Sequence, residues 1–568
     1  MRRLTIILSG TAILIPLAVS PVFAGPLAAT TPAQVTDTSP FDPACGLAGQ
    51  DTGSVVFVDS EVEPWIAVSS ANPQVMAGTW QQDRWNDGGS RGNLVALSVD
   101  GGTNWESFVP PNITECTANS GVASSFALFD RASDPWLDFA PNGDLHLMHL
   151  VFDVALPEGK PGALSGRNGM AVQTVRAASL ADGVIEDFEW EAPILLVLDE
   201  GGDLHDKNTL TADPTVGAGT HVYAVWDFLE VPEGGKINPE RGSAGFGFGF
   251  KGRALFTRTT DGGKSWEAPR VIYDPGGTNQ TIGNQIVVRP DGTLVNVFNE
   301  ILNFRDDDRG MQFDFNVSLK FSPDKGETWL PRGRPIRAAK MLPRTLFTPA
   351  PFVGVYHPDA VGAETFARAN AVRTADVIPE VAVDPNNGNL YVVWQDARFS
   401  SGGNFSDPSQ LVDDIAITMS TDGGRTWTTP IKVNQTPDDV PLGNRQAFIP
   451  MVRVNDDGVV AVSYYDFRNN DPTDRTETQL GAADTDLFVV HCHANCSDPA
   501  SWTPNNEVRV TDSSFDTALL PFANGFFPGD YVGFGTDGTD FLPFYTESVS
   551  MADPASQFFS RVSVGNEP

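Results

Sequence analysis

Six places in the chain set a carboxylate or a tyrosine at the end of an apolar, alternating stretch, often with an arginine close behind. TWQQDRW carries Asp83 and Arg84, VWQDARF carries Asp396 and Arg398, and SYYDFRN carries Tyr465, Asp466 and Arg468. FNEILNFRDDDR carries Glu300 and Arg305, VWDFLE carries Asp227 and Glu230, and PFYTES carries Tyr545 and Glu547. Such acids and phenols can move protons or act as nucleophiles, and arginine forks bind carboxylates through two parallel hydrogen bonds. Brought to one place, they could work on a sugar that carries an acid. The competing reading is scaffold, each Asp ordering its loop and pairing with its own Arg, because structural ion pairs also gather in clefts. Glu300 and Tyr531 (in GDYVGF) recur less and stand out individually.

The elements that would position these groups are short strands. PEVAVDP, LYVVWQD, DIAITMS and PIKVN follow one another from Pro379 to Asn434, with period-two alternation between Gly- and Asn-rich turns. The first two strands of this unit recur from Glu63, Asp134, Leu210, Asn284, Phe448 and Gly529, which makes seven units. Units that each lack a complete core stack radially, so the expected fold is all-β: a β-propeller of four-stranded blades, seven most simply and six as the alternative. The stretch GSVVFVDS, Gly53 to Ser60, precedes the first unit as fourth strands precede later ones. It is expected to complete the last sheet and close the ring, which removes open edges.

Between third and fourth strands a turn repeats: SVDGGTNW from Ser98, TTDGGKSW from Thr259, SPDKGETW from Ser322 and STDGGRTW from Ser420. Its Asp can accept backbone N–H bonds within the turn and its Gly takes positive φ, a structural role. On these strings the chain resembles the sialidase-like superfamily of Asp-box (BNR repeat) propellers, as a bacterial secreted member. The resemblance implies a glycoside hydrolase acting on extracellular glycan, in its narrowest form an exo-sialidase. The alternative is a propeller that binds glycan or protein without catalysis. It also implies an active face opposite the Asp-box turns, with a Tyr nucleophile assisted by a Glu, an Asp as acid/base, and three Arg for the substrate carboxylate. The candidates are Asp83 as acid/base, Glu300 as partner, and Tyr465, Tyr531 or Tyr545 as nucleophile. Arg84, Arg305, Arg398 and Arg468 are the candidates for binding. The family's early Arg motif is absent: VEPWIAV stands in its place, with Glu63 and Trp65.

Composition bounds the rest. Lys and Arg number 37 against 72 Asp and Glu, a net charge of −35, which repels nucleic acid and anionic lipid. Arg2 and Arg3, the apolar Leu4 to Val19 and the small-residue site Val22-Phe23-Ala24 read as a signal peptide over residues 1–24. The chain is therefore expected to be secreted, or periplasmic where there is an outer membrane, without a membrane span and monomeric. Residues 25–52 form an extension and 53–568 one propeller domain. Cys492 and Cys496 are close enough to pair, leaving Cys45 with Cys116, as an oxidising compartment favours. HCHANC (His491 to Cys496) could instead hold zinc, but no metal site is assigned. The acid-rich loops RDDDRG and DPTDRTE offer oxygen ligands for Ca²⁺ without a defined loop pattern, so no cofactor is expected. A basic stretch from Arg332 to Arg373 could draw an anionic substrate to the mouth.

Overall fold

The computed structural model describes residues 27–47, 53–124, 126–154, 166–177, 189–200, 203–230, 251–306, 310–347, 354–361, 370–400, 404–471, 473 and 481–565, with the side chains of 304–312 excepted. It is all-β, built from repeated four-stranded antiparallel units. In the unit read most directly from sequence, Glu380–Val383, Leu390–Asp396, Asp414–Ser420 and Ile431–Lys432 pair in chain order, with Leu390 opposite Ser420 and Asp396 opposite Asp414. Two such units, from Glu61–Val68 and from Arg131–Phe139, are joined into one sheet by a single pairing of Ser90 with Ala132.

The first strands of the units touch in succession: Glu61–Val68, Arg131–Phe139, Leu204–Ala212, Gln280–Val288, Glu380–Val383, Ala447–Val454 and Gly533–Thr536. Gly533–Thr536 then touches Glu61–Val68 again, an arrangement consistent with a β-propeller. Five of these inner strands share a defect. The register slips between Val62 and Trp65, Ser133 and Trp136, Asp206 and Thr209, Ile282 and Gln285, and Phe448 and Met451. Inside the slips Glu63, Asp134, Lys207 and Ile449 take φ of 54°, 44°, 50° and 49°. A bulge re-aims a side chain out of the strand's alternation, at a cost in backbone strain for a residue with a Cβ.

The ends of the chain meet, but not as the sequence suggests. Leu27–Ala29 pairs with Val562–Val564 and Ala33–Gln34 with Phe558 and Phe559, so residues expected in an extension lie in the last sheet. Gly53–Ser60 runs instead beside the first unit, where Val56 bridges Trp85, and meets the last unit through a bridge between Ser60 and Ala555. LAA and AQ carry no alternation to announce a strand. An edge strand can be recruited by a neighbour's unpaired N–H and C=O groups alone.

The four repeated turns share one hydrogen-bond pattern. Ser420 Oγ donates to Asp422 Oδ1 at 2.9 Å and accepts from Gly424 N at 2.8 Å, and Asp422 Oδ1 accepts from Thr426 N at 2.9 Å. Gly423 and Gly424 have φ of 74° and 86°, which a side chain would resist. The Cys45–Cys116 and Cys492–Cys496 disulfides form as expected, which removes both thiolates of HCHANC as zinc ligands. Among the described residues no helix is long and apolar enough to cross a membrane. The expected signal peptide lies outside the described residues.

Candidate functional site

The bulges aim charged side chains from separate units at one buried point. Lys207 Nζ lies 3.4 Å from Glu63 Oε1 and 3.1 Å from Asp134 Oδ2, and it also donates to Asp530 Oδ2. Arg373 forks onto Asp530, with Nε 3.0 Å from Oδ1 and Nη2 2.6 Å from Oδ2. Asp530 N donates to Glu63 Oε1 at 3.3 Å. From the second strand of the first unit, Gln81 donates to Glu63 and accepts from Arg84 Nη1 at 3.1 Å. Both guanidiniums stand over Phe527, Arg84 at 5.0 Å and Arg373 at 4.4 Å. Arg373 arrives on a small hairpin, Gly354–Tyr356 with Ala371–Arg373, which the basic inter-unit segment forms.

Taking so many charges out of water spreads their titrations. Burial raises Glu63 to about 8 against the pull of Lys207, with Asp134 and Asp530 adding to the rise. Burial likewise takes Asp206 to about 7. Asp530 goes the other way: burial opposes it, but the charges of Arg373 and Lys207 hold it well below the usual carboxylate range. Burial brings Arg84 down to about 10. Neighbouring acids with separated titrations are what acid–base chemistry at neutral pH requires.

An aromatic layer lies against this cluster. Trp65 and Trp136 stack with ring centroids 3.4 Å apart, and Tyr531 meets Trp136 edge-on at 5.2 Å while its hydroxyl donates to Pro135 O at 2.9 Å. Arg453 stands 5.0 Å over Trp65, opposite Glu380 and Asp138, both raised to about 7 by burial. Between Glu380, Gln395, Asp530 and Tyr531 a cavity of about 10 Å³ remains, room for one water.

The residues singled out from sequence are dispersed by comparison. Asp83 accepts from Arg91 Nη1 at 2.8 Å, Ser39 Oγ at 2.9 Å and Asp59 N at 3.0 Å, fastening the N-terminal segment to the first unit. Its neighbour Arg84 points into the cluster. Glu300 takes the Tyr273 hydroxyl and, at 2.6 Å, Arg337 Nε, both on fourth strands. Tyr465 donates to Thr546 O at 2.9 Å. No hydrogen bond or ion pair among the described residues links Asp83, Glu300, Tyr465 and Tyr531. Arg398 forks onto Asp396 with both contacts at 2.7 Å, and Arg468 bonds Asp466 at 2.7 Å and Glu507 at 2.6 Å, so these pairs close on themselves. The indole of Trp394 also donates to Asp396 at 2.7 Å, which explains the W-x-D spacing as local structure. The Arg305 side chain, and with it much of the RDDDRG and DPTDRTE loops, lies outside the described residues. Burial raises Tyr465, Tyr531 and Tyr545 well above the ordinary phenol value, which keeps them protonated.

Asp134, Lys207 and Asp530 were not singled out from sequence. The available signal was a charge at one fixed place in the first strands, as in Glu63-Pro64-Trp65 and Asp134-Pro135-Trp136.

No family model and no curated protein sequence matches the chain. Among solved structures it is similar to a Dyadobacter fermentans protein of unknown function, with TM-score 0.41 and 14% identity over 91% of this chain and 100% of that one. It is also similar to a Hadza microbial sialidase, with TM-score 0.40 and 14% identity over 96% of this chain and 95% of the other. A third is an α-L-arabinofuranosidase of Fusarium graminearum bound to an iminosugar inhibitor, with TM-score 0.39 and 12% identity over 77% and 92%.

Proposed function

We propose that the chain is a secreted, monomeric glycoside hydrolase of the sialidase-like superfamily, a seven-bladed propeller acting on extracellular glycan at the axial cluster. The observation that carries the reading is the pair Glu63 and Asp530, neighbours on Lys207 whose titrations are driven apart. Glycoside hydrolysis takes one carboxyl that holds its proton at neutral pH and one that has lost it. Glu63 is the proton donor in this scheme, and Asp530 supplies negative charge against a developing oxocarbenium ion. Lys207 and Arg373 fix those acids in place, and Arg84 holds Gln81, which donates to Glu63. Asp83, Glu300, Tyr465, Arg398 and Arg468 serve as scaffold, and Tyr531 backs the cluster. The seven sequence units and the succession of their first strands support the blade count. The Arg2-Arg3 start with its apolar run, and the two disulfides, support export.

The test is release of fluorophore from a panel of glycosides by the chain beginning at Gly25. Turnover is expected, and Glu63→Gln should lower kcat about 100-fold or more while circular dichroism stays unchanged. The second reading is a non-catalytic glycan- or protein-binding propeller, favoured by the closed Asp396–Arg398 and Asp466–Arg468 pairs and the small axial cavity. Glycan binding without turnover on any panel member would decide for it.

A further inference from the structure

Resting on the axial reading, the arrangement of charges also bears on which sugars can enter. Arg84, Lys207 and Arg373 reach the cluster from three different elements, and together they make the kind of cationic seat that would hold a carboxylate. In this chain the seat is taken. Asp530 receives the Arg373 fork on both oxygens and Lys207 on one, and only 1% of its side chain is exposed. Glu63, Asp134 and Asp206 face the same Lys207. An incoming carboxylate would have to displace Asp530 and leave it buried without a partner, or else sit beside it as a further negative charge. Both are strongly unfavourable where water is excluded. Arg84 is partly occupied as well: its Nη1 bonds Gln81 at 3.1 Å and its guanidinium lies over the Phe527 ring.

We propose that Asp530 is a built-in counter-ion that fills the cationic seat of the axial site, so that the site takes neutral sugars and excludes acidic ones. The seat has a defined geometry and should become a carboxylate site once its own carboxylate is removed.

Two arms test this, and the first needs no variant. The wild-type chain is titrated with free N-acetylneuraminic acid and with glucuronate, and is assayed on sialosides and on neutral glycosides. No saturable binding of either acid is expected, and turnover should be confined to neutral glycosides. Binding of either acid, or turnover of a sialoside, overturns the proposal while leaving the glycosidase reading intact. Failure on every glycoside ends the glycosidase reading and leaves the counter-ion to be judged by binding alone. In the second arm, Asp530→Ala and Asp530→Asn are melted in formate and in chloride at equal ionic strength. A formate-specific rise in Tm for Asp530→Ala, absent in wild type and in Asp530→Asn, is expected. If Asp530→Ala folds and shows no such rise, Asp530 does not fill a carboxylate seat.

Discussion

Arg373 and Asp530, 157 residues apart, are joined by two hydrogen bonds of 3.0 and 2.6 Å. The contact ties the hairpin of the long basic segment to the inner strand region of the last unit. Each partner is costly to bury without the other. Arg373→Met should therefore destabilise the protein by about 3–5 kcal/mol in urea unfolding. Adding Asp530→Asn to that background should recover part of the loss. Independent, additive effects in the double mutant would refute the coupling.

Stability should fall as pH rises across neutrality. Burial raises Glu63 to about 8 and Glu380, Asp138 and Glu547 to about 7. A carboxyl that holds its proton more tightly folded than unfolded costs nothing below its unfolded pKa of about 4.3. Its cost grows until pH reaches the folded value. Tm should thus decline from about pH 5 to about pH 8, within the window these shifts define. Glu63→Gln, which removes a group facing Lys207, Asp134, Asp530 and Arg84, should flatten part of the slope. A Tm that climbs over this range would contradict the burial of these acids.

The repeated turns should matter to stability and not to chemistry. Gly424 has φ of 86°, and a Cβ there would lie 2.7 Å from Leu319 Cδ1 in the preceding unit. Gly424→Ala should cost about 2–4 kcal/mol, combining left-handed strain with overpacking. Any activity per folded molecule should remain that of wild type; a selective loss of kcat would place the turn near the site.

The two disulfides should differ in worth. Cys45–Cys116 spans 71 residues and Cys492–Cys496 spans 4. On chain entropy, replacing the first pair by Ser should cost about 4 kcal/mol and the second about 2 kcal/mol. Thermal melts of the two double mutants give the comparison, and equal losses would point to contributions other than loop closure.

What could be read from sequence was whatever repeats. Alternating strands, Gly turns and the DxG string are local: LYVVWQD must bury one face, and Gly423 must take positive φ, wherever they sit in a fold. Those signals located the units and the turns, and the spacing of Cys492 and Cys496 located a disulfide. The same repetition marks scaffold and not chemistry. Asp396 and Asp466 recur because they accept bonds from their own Trp or Arg neighbours, whereas Asp83 fastens Ser39 and Asp59 to the first unit.

Only the tertiary structure decided where charge collects. Glu63, Asp134, Lys207, Arg373 and Asp530 lie in five separate stretches of sequence, each with ordinary neighbours. Bulges at one level of three inner strands aim Glu63, Asp134 and Lys207 toward a common point, where the hairpin brings Arg373 and the segment before Gly533 brings Asp530. The titrations of Glu63 and Asp530, and the seat that Asp530 fills, arise from mutual distance and loss of water. Neither quantity belongs to any single stretch of the chain, so local pattern had nothing to report about them.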